Sequence, residues 1–351
     1  MVSYSYKKQK RREIEMEKTM FKYLSQEDIM GMNIPYSSVI ETVERVMVSF
    51  GRGLCQCPPK PGVFTRDKSF LHAMPTYIGD TDICGIKWVA GYPANRDKNL
   101  PTVSGLIILN DAETGLPLAV MDCRWITAVR TAAVSAVAVK YCKVSTSDTM
   151  TVIGAGFQSR WNLLYCKMVA PELKKCYVND INEANAAKFI KDMGHRVPDV
   201  ELVPITGGML KDSIAKSQIV LTATQNLPEP IVKFDMIHKG MLGIALEGMA
   251  WEDNIYTEGL DRFVCDDYAL AESYQKKGSF QLGMPEKHYL LGRIANGTET
   301  GRANDDEVVI GFFMGMAISD IALAAQIYEY AKETGAGADL PLMEKEDIFG
   351  S

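Results

Sequence analysis

The chain has 351 residues, 47% of them hydrophobic, with a formal net charge of -6 and a pI near 5.4. This length leaves room for two domains with sizeable cores, and the acidic balance argues against nucleic acid as the main partner, because nucleic-acid binders usually present a basic face. No apolar run reaches the roughly 18 residues that a membrane span needs, and the N-terminus lacks the apolar core of a signal peptide. We therefore expect a cytoplasmic protein with a small-molecule ligand and no nucleic-acid or membrane partner.

The cysteines do not follow a metal-binding or disulfide pattern. Eight Cys are spread along the chain, and none of them lies in a Cys-x-x-Cys pair. Cys55-Gln56-Cys57 is too closely spaced for a standard structural zinc site. We predict reduced cysteines, no disulfide and no bound metal.

The N-terminal part of the chain combines helical and strand patterns. Residues 1–19 are rich in Lys and Arg and almost free of apolar side chains, which predicts a flexible extension rather than a nucleic-acid-binding arm. Apolar residues at three- and four-residue spacing predict a helix over 24–50. A strand is predicted over 83–90, and a hairpin is predicted from 103–110 and 116–121 with a turn between them.

A long helix separates this part from a region of alternating strands and helices. Residues 124–143 are rich in Ala and Val and predict a connecting helix, with a domain boundary near residue 147. The alternation beyond it predicts a parallel sheet covered by helices on both faces, and a last helix over 315–333 is expected to pack back on the N-terminal half. The predicted strands are 151–153, 176–179, 202–205, 218–223, 240–246, 262–265 and 308–312.

The first of these strands runs into a glycine turn typical of dinucleotide binding. Gly154 suits the tight turn, and Gly156, which has no Cβ, lets backbone N–H groups approach a pyrophosphate at the start of the next helix. The side chains Phe157, Gln158 and Ser159 follow directly and are expected to surround the phosphates. Ser159 stands where a third Gly is usual, so an ordinary strand-to-helix turn remains the alternative.

Further residues point to NAD rather than NADP. Asp180 closes the next strand about 26 residues after Gly154 and would hold the ribose hydroxyls. Its carboxylate would repel a 2′-phosphate, and no Arg follows it directly. Thr222 and Thr224 lie at the carboxyl end of the fourth strand, where an open α/β sheet binds its ligand, although they could also be an ordinary Thr-rich strand end.

Six segments in a fixed order carry a family resemblance. They are Gly85-Ile86-Lys87-Trp88-Val89, Pro101-Thr102-Val103-Ser104-Gly105-Leu106-Ile107, Ala119-Val120-Met121-Asp122, Ile126-Thr127-Ala128-Val129-Arg130-Thr131-Ala132-Ala133, Ile153-Gly154-Ala155-Gly156-Phe157-Gln158 and Gly315-Met316-Ala317-Ile318-Ser319-Asp320. Together they resemble the ornithine cyclodeaminase/μ-crystallin family across roughly residues 20–335.

The resemblance implies an α/β protein of two domains that forms a homodimer. A Rossmann NAD-binding domain would occupy residues 148–315. An α+β substrate and dimerisation domain would occupy 20–147, completed by the C-terminal helix and the rest of 316–351. The family's common chemistry is hydride transfer at the carbon that bears an amino or imino group. In the cyclodeaminase version ornithine becomes proline and ammonia, and the hydride returns to the product.

The resemblance also implies a pair of cations that hold the substrate carboxylate. Lys87 and Arg130 match the family's Lys and Arg, and Arg suits bidentate carboxylate binding, so both are candidate catalytic and substrate-binding residues. From the residues alone, Lys87 could be the polar face of a strand whose Ile86 and Trp88 point inward. Arg130 lies in an Ala- and Val-rich helix and needs a carboxylate partner, which could equally be a protein Asp or Glu.

Three other residues match family positions near the substrate, each with an ordinary alternative. Lys60 lies where the family often supplies an Arg, and it would act as a point charge or be a simple loop lysine. Thr102 would lie near the substrate or merely begin a strand. Met74 would line the pocket or belong to the core.

One departure from the family affects the predicted reaction. Cyclodeaminases carry an Asp after the fifth Rossmann strand, whereas the aligned position here is Met249. Glu247, two residues earlier, could transfer a proton during the amine chemistry if burial raised its pKa, or it could be an ordinary solvated Glu. We predict a cyclodeaminase-type enzyme, with an imino-acid (ketimine) reductase or an alanine-dehydrogenase-like enzyme as the alternative. A non-catalytic, μ-crystallin-like ligand binder remains the alternative from another class.

Overall fold

The computed structural model describes residues 19–225 and 227–343. The predicted extension lies outside this range except for Thr19, which begins a strand, and residues 344–351 of the predicted C-terminal return also lie outside it. The described residues form two eight-stranded sheets.

The first sheet is mixed and comes mostly from the N-terminal part of the chain. Its order is β16-β1-β7-β6-β5-β4-β2, with β3 paired to β4, and only β1 and β7 run parallel. The predicted strand and hairpin over 83–121 are confirmed as β5, β6 and β7. The strands are β1 (Thr19–Leu24), β2 (Cys55–Gln56), β3 (Gly62–Val63), β4 (Phe70–Ile78), β5 (Ile83–Gly91), β6 (Val103–Asp111), β7 (Pro117–Asp122) and β16 (Ala338–Met343).

The second sheet is entirely parallel. Its order is β10-β9-β8-β11-β12-β15-β13-β14, so its first five strands in the chain have the spatial order 3-2-1-4-5 of dinucleotide-binding folds. The strands are β8 (Thr149–Ile153), β9 (Lys175–Asn179), β10 (Glu201–Ile205), β11 (Ile219–Thr222), β12 (Leu242–Ala245), β13 (Arg262–Cys265), β14 (His288–Leu290) and β15 (Val309–Phe312). The predicted fold class, a Rossmann unit combined with an α+β unit, is confirmed.

Helices cover the second sheet and one face of the first. Nothing in the described part of the chain is a helix both long and apolar enough to cross a membrane. The helices are α1 (Gln26–Gly31), α2 (Tyr36–Gly51), α3 (Arg124–Cys142), α4 (Phe157–Val169), α5 (Glu183–Met193), α6 (Leu210–Ile214), α7 (Tyr268–Gln275), α8 (Leu291–Ala295) and α9 (Ala317–Thr334).

The single helix predicted over 24–50 is wrong, because local signals divide that segment. Leu24 ends β1, and Ser25 then caps α1 by accepting a hydrogen bond from the Asp28 backbone while the Asp28 side chain accepts one in return. Pro35 precedes α2 and disfavours helical geometry at Ile34. The apolar spacing inside α2 was recognised correctly, but the stop signals before it were missed.

Two chain crossings join the sheets and create the cleft between them. The helix α3 runs from β7 to β8 and is buried on nearly all sides against α2, α4 and α9. The second crossing, residues 313–316, leads from β15 to α9, which packs on α2, α3, β4 and β5 as predicted for the last helix. The buried face of the first sheet therefore meets the carboxyl ends of β13 and β15.

Candidate active site

The two glycines of the turn after β8 are there for different reasons. Gly154 has a φ of +92°, and a Cβ there would lie 2.6 Å from the carbonyl oxygen of Ala223, so both conformation and space require glycine. Gly156 caps α4, and a Cβ built there would meet no atom within 4 Å. The helix therefore begins at an open space suited to an anionic group.

Asp180 and Ser159 hold this turn in place. Asp180 follows β9, and its carboxylate accepts hydrogen bonds from the backbone N–H of Ala155 at 2.8 Å and of Asn182 at 2.9 Å. Ser159 is fully buried, and its hydroxyl donates to the carbonyl oxygen of Gly154. The side chain of Phe157 is 57% exposed at the start of α4. The strand ends, the turn and the helix start are thus one connected unit.

Buried acceptors without partners lie beside the same turn. Gln158 Oε1 and Thr224 Oγ1 are buried and make no hydrogen bond to the described residues. Thr222 differs, because its hydroxyl accepts a hydrogen bond from Trp251 Nε1 at 2.9 Å. Since buried polar atoms are normally paired, the first two side chains have the chemistry to bind a polar ligand, and a dinucleotide fits the cradle they form with the glycine turn.

Lys87 faces the interior of the molecule. It is 1% exposed, whereas the neighbouring Trp88 is 41% exposed, so the alternative in which Lys87 was the polar face of the strand is wrong. Strand residues alternate between faces, and the buried face of β5 is the one covered by α9. Met74 lies opposite Lys87 on β4 and is 4% exposed, which places both side chains on that covered face.

A buried carboxylate joins the two predicted cations. Asp320, in the first turn of α9, is fully buried, and its Oδ1 lies 2.7 Å from Lys87 Nζ and 3.3 Å from Arg130 Nε. Burial by itself would raise the pKa of Asp320, but the attraction of Arg130 and Lys87 holds it below its usual value. Burial lowers the pKa of Lys87. We call these three residues the clamp.

The free end of Arg130 lies against a glycine. Gly315 has a φ of +80°, and a Cβ there would lie 2.1 Å from Arg130 Nη1, so only glycine leaves room for the guanidinium. Neither Nη1 nor Nη2 of Arg130 donates a hydrogen bond to any other described residue. Two N–H groups in the geometry of a carboxylate fork therefore remain available beside the crossing segment.

Lys60 and Asp266 both form hydrogen bonds with the backbone of that crossing. Lys60 Nζ donates to the carbonyl oxygen of Met314 at 2.8 Å, and Asp266 Oδ2 accepts from the backbone N–H of Gly315 at 2.6 Å. Burial lowers the pKa of Lys60 to about 8 and raises that of Asp266 to about 6. Asp266 was missed in the sequence, although an acid directly after a parallel strand was the available signal.

Glu247 lies on the cofactor side of the cleft, two residues after β12. Both of its carboxyl oxygens are buried without a hydrogen-bond partner among the described residues. Burial, which disfavours the charged carboxylate, raises the pKa of Glu247 to about 7. Met249 is 45% exposed, so the side chain at the family's Asp position points largely to solvent.

Thr102 lies just before β6. It is half-buried, and its carbonyl oxygen accepts a hydrogen bond from the Tyr92 backbone at 2.8 Å. The described residues contain no group of three or more His, Cys, Asp or Glu side chains that could hold a metal ion. The chemistry available in the cleft is therefore that of buried cations and of carboxyl groups with altered pKa values.

A parallel dinucleotide-type sheet facing a buried Lys–Arg–Asp clamp defines a two-sheet α/β protein of the dinucleotide-dependent oxidoreductase type. The model of the ornithine cyclodeaminase/mu-crystallin family matches residues 17–335, and the chain belongs to that family. The predicted resemblance is thereby confirmed.

Individual relatives cover nearly the whole chain. The nodulation efficiency protein NfeD of Rhizobium meliloti is 33% identical over 90% of this chain and 97% of its own. The Thermococcus litoralis Δ1-pyrroline-2-carboxylate reductase, solved with NADH and L-proline, has a TM-score of 0.81 and 30% identity, with 91% of this chain and 100% of that chain covered. An archaeal alanine dehydrogenase dimer with bound NAD has a TM-score of 0.82 and 27% identity, with 93% and 100% covered.

Proposed function

We propose that this protein is an NAD-dependent oxidoreductase that transfers a hydride between the cofactor and the α-carbon of a small amino or imino acid. The observation that carries the proposal is that the Nη1 and Nη2 groups of Arg130 have no hydrogen-bond partner among the described residues. Asp320 holds this guanidinium beside Lys87, and it faces the carboxyl ends of the parallel strands. A buried guanidinium with two unpaired N–H groups matches a carboxylate ligand. The similar reductase and dehydrogenase support the same class of reaction.

The cofactor would be held by the residues around the glycine turn. The pyrophosphate would lie against the start of α4 in the open space at Gly156, close to Gln158. Asp180 would accept hydrogen bonds from the ribose hydroxyls and would repel a 2′-phosphate, which favours NAD over NADP. Thr224 would supply a hydroxyl to the polar edge of the nicotinamide. The bound dinucleotide supplies or accepts the hydride.

The remaining residues would bind the substrate and handle the proton. Arg130 and Lys87 would bind its carboxylate, with Lys60 as a further cation and Met74 as pocket wall. Oxidation of an amino acid yields an imine, a reduced cofactor and one proton, and reduction of an imine consumes the same species. The carboxyl group of Glu247, whose pKa of about 7 is close to neutral pH, would exchange this proton.

Simple oxidation or reduction is preferred to cyclodeamination. Cyclodeamination needs a group that assists the amine chemistry, and the family places an Asp where this chain has the largely exposed Met249. A carboxyl group with a raised pKa, as in Glu247, serves a single proton transfer equally well in a dehydrogenase or an imine reductase. The chain's relatives include both of these activities.

Turnover in both directions tests the proposal. The purified protein would be given NAD with alanine, 2-aminobutyrate, proline, lysine and ornithine, and NADH with Δ1-pyrroline-2-carboxylate or with 2-oxo acids plus ammonium. We expect NADH to accumulate with an amino acid or to be consumed with an imine. Ammonia and proline from ornithine without change in NADH would replace the proposal by cyclodeamination. NAD binding without turnover on the whole panel would replace it by a ligand-binding role.

We also propose that the protein is a homodimer through the outer face of the first sheet. Trp88 and Leu106 are paired across β5 and β6 and are 41% and 44% exposed, which leaves apolar area uncovered in one copy. A similar alanine dehydrogenase is a dimer. Light scattering should show a dimer, and Trp88→Lys should convert it to a monomer. Leu282→Lys, at an exposed site after α7 and away from the first sheet, should leave the dimer intact. A dimer that survives Trp88→Lys would refute this face as the interface.

A further inference from the structure

One peptide group of the crossing segment is held through both of its polar groups. The carbonyl oxygen of Met314 accepts a hydrogen bond from Lys60 Nζ at 2.8 Å, and the backbone N–H of Gly315 donates one to Asp266 Oδ2 at 2.6 Å. Both groups belong to the planar peptide that joins Met314 to Gly315. Lys60 lies in the loop between β2 and β3, and Asp266 follows β13, so side chains from both sheets fix the orientation of this peptide.

This peptide lies next to the end of Arg130 that is proposed to bind the substrate. A Cβ on Gly315 would lie 2.1 Å from Nη1 and 2.8 Å from Nη2 of Arg130, so the backbone of Gly315 packs directly against the guanidinium. Gly315 has a φ of +80° and no Cβ, and glycine allows the flanking peptide more rotational freedom than another residue would. The orientation of one backbone peptide therefore decides which polar group faces Arg130.

A peptide that could rotate here would compete with the substrate. Buried carbonyl oxygens and buried N–H groups pair wherever the geometry allows it. If the Met314 carbonyl turned from Lys60 towards Arg130, it would occupy the N–H groups needed for the substrate carboxylate. Such a rotation would also take the Gly315 N–H away from Asp266, so the bond to Asp266 opposes it.

The bonds that Asp266 makes to neighbouring residues are all to the backbone. Asp266 is 2% exposed, and its Oδ1 accepts a hydrogen bond from the backbone N–H of Asp267 at 3.0 Å. Burial raises the pKa of Asp266 to about 6, because removal from water disfavours the charged form. A neutral side chain would avoid this cost, but a carboxylate holds a backbone N–H more strongly than a neutral acceptor does.

We propose that Asp266 is a positioning residue that holds the Met314–Gly315 peptide in its orientation and so keeps the two free N–H groups of Arg130 open for the substrate carboxylate. This inference rests on the proposed function and deepens it, because it names a residue of the cofactor-binding unit that prepares the substrate site. Asp266 acts through Gly315 on Arg130 and does not itself touch the substrate.

Removal of the acceptor tests the proposal. The probes are 2-oxobutyrate and pyrrole-2-carboxylate, whose binding to the protein–NADH complex is followed by NADH fluorescence. The pH is 7, between the pKa of Asp266, about 6, and that of Lys60, about 8. Loss of a nearby negative charge would by itself strengthen the binding of an anion. We expect the opposite for D266A, a weakening of at least about tenfold for both carboxylates.

Asp261 provides a matched control at the other end of the same two strands. It lies just before β13, and its Oδ2 accepts a hydrogen bond from the backbone N–H of Val308, just before the parallel neighbour β15, at 2.8 Å. D261A therefore removes a bond of the same kind, but at the amino ends of the strands and away from Arg130. We expect both variants to keep NADH affinity within about twofold of the wild type, and D261A to keep carboxylate affinity as well.

A double-mutant cycle with Arg130→Met separates positioning from general damage. Where Arg130 is absent, Asp266 has no guanidinium to keep open, so D266A should lower kcat/KM no further than about twofold in this background. In the wild-type background it should lower kcat/KM at least about tenfold, mainly by raising KM. The substrate is the one that the turnover panel identifies.

A second pair of variants decides the matter if D266A alone does not fold. Removal of Asp266 leaves Lys60 buried without a nearby carboxylate, which is unfavourable. K60M/D266A removes both charges and is compared with K60M, in which Asp266 still holds the Gly315 N–H. We expect the double variant to bind pyrrole-2-carboxylate at least about fivefold more weakly than K60M. Melting temperature and NADH affinity report folding independently.

The outcomes distinguish this inference from the proposed function. Carboxylate affinity of folded D266A within about twofold of the wild type, an equal loss in D261A, or an equal loss of kcat/KM with and without Arg130 overturns the role of Asp266 while the oxidoreductase remains. Where only the second pair folds, equal affinity in K60M and K60M/D266A does the same. A wild-type protein that binds NADH but neither carboxylate, and turns over no amino or imino acid, overturns the proposed function and this inference with it.

Discussion

The two halves of the cleft are built from the chain in opposite ways. The dinucleotide cradle comes from a short stretch, the turn around Gly154 and Gly156, together with the end of the adjacent strand at Asp180. The clamp brings together Lys87, Arg130 and Asp320, the last of which lies 233 residues beyond the first. Local geometry can be recognised from local sequence, whereas a charge balance depends on partners that only the fold brings together.

The largest expected effect comes from a substitution in the clamp that lowers kcat/KM and leaves NAD binding in the cradle unchanged. Arg130→Met removes both free N–H groups, and each hydrogen bond to a charged group contributes about 1.5–3 kcal/mol, so kcat/KM should fall by about a thousandfold. The Lys87–Asp320 pair stays intact and limits the loss of stability. NAD affinity should stay within about twofold. The matched control is Arg124→Met at the start of the same helix, whose guanidinium contacts Gln26 instead. Equal losses in the two variants would contradict the assignment.

The next largest effect is the pH dependence of stability caused by Glu247, which lies between the cradle and the clamp. The pKa of Glu247 is raised from 4.5 to about 7 in the folded protein, so the folded state binds the proton more tightly than the unfolded state. The free energy of unfolding should therefore fall by about 3 kcal/mol as the pH rises from 4.5 through 7. Glu247→Gln should remove the part of this dependence that Glu247 causes, leave the smaller part caused by the raised pKa of Asp266, and stabilise the protein at pH 8. Denaturant unfolding measured across this pH range tests it, with the exposed Glu258→Gln as control. The same slope in Glu247→Gln would refute it.

Two alanine substitutions in the glycine turn test the cradle alone, through stability and NAD affinity. Gly154→Ala forces a Cβ to 2.6 Å from a carbonyl oxygen at a φ of +92°, which should lower the free energy of unfolding by about 1–3 kcal/mol and weaken NAD binding. Gly156→Ala meets no protein atom, so it should leave the fold within about 1 kcal/mol and weaken NAD binding about tenfold by filling the open space. Calorimetry and NADH fluorescence measure both. Unchanged NAD affinity in Gly156→Ala would place the pyrophosphate elsewhere.

The smallest effect concerns the choice between the two cofactors. Asp180→Ser removes the charge that would repel a 2′-phosphate, so the ratio of NADP to NAD affinity should rise about tenfold while substrate KM stays unchanged. Asp199→Ser removes an exposed carboxylate that lies before β10, at the amino ends of the parallel strands, and contacts only Lys167, so it serves as the control. A ratio that moves equally in both variants would indicate a general charge effect.

The buried cations of the clamp, Lys87 and Arg130, were selected from the sequence, but the acids that pair with the cations of the cleft were not. Lys87 and Arg130 were recognised through the family resemblance, but Asp320 was noted only as part of a closing motif and Asp266 was not considered. Neither acid has a local pattern that reveals its partner, because the ion pairs form only when α9 and the crossing segment pack against the first sheet. The face of Lys87 was ambiguous for the same reason, since alternation does not say which side of a strand is covered.

The strands of the Rossmann unit were predicted almost completely, because buried parallel strands appear as short apolar runs between helices. The strands missed were β1, β2, β3, β4, β14 and β16, which lie at the edges of their sheets or next to them. β16 pairs with β1 from the far end of the chain, and nothing in its own residues indicates that partner.

The position of α9 and β16 also determines the order in which the protein can assemble on the ribosome. Residues 149–312 form a continuous sheet unit that is complete once its last strand has been translated, whereas the N-terminal sheet must wait for α9 and β16, the last described elements made. The part of the protein synthesised first is therefore completed last. Until α9 emerges, Lys87 and Arg130 have no Asp320, so the clamp can form only after nearly all of the described chain has been synthesised.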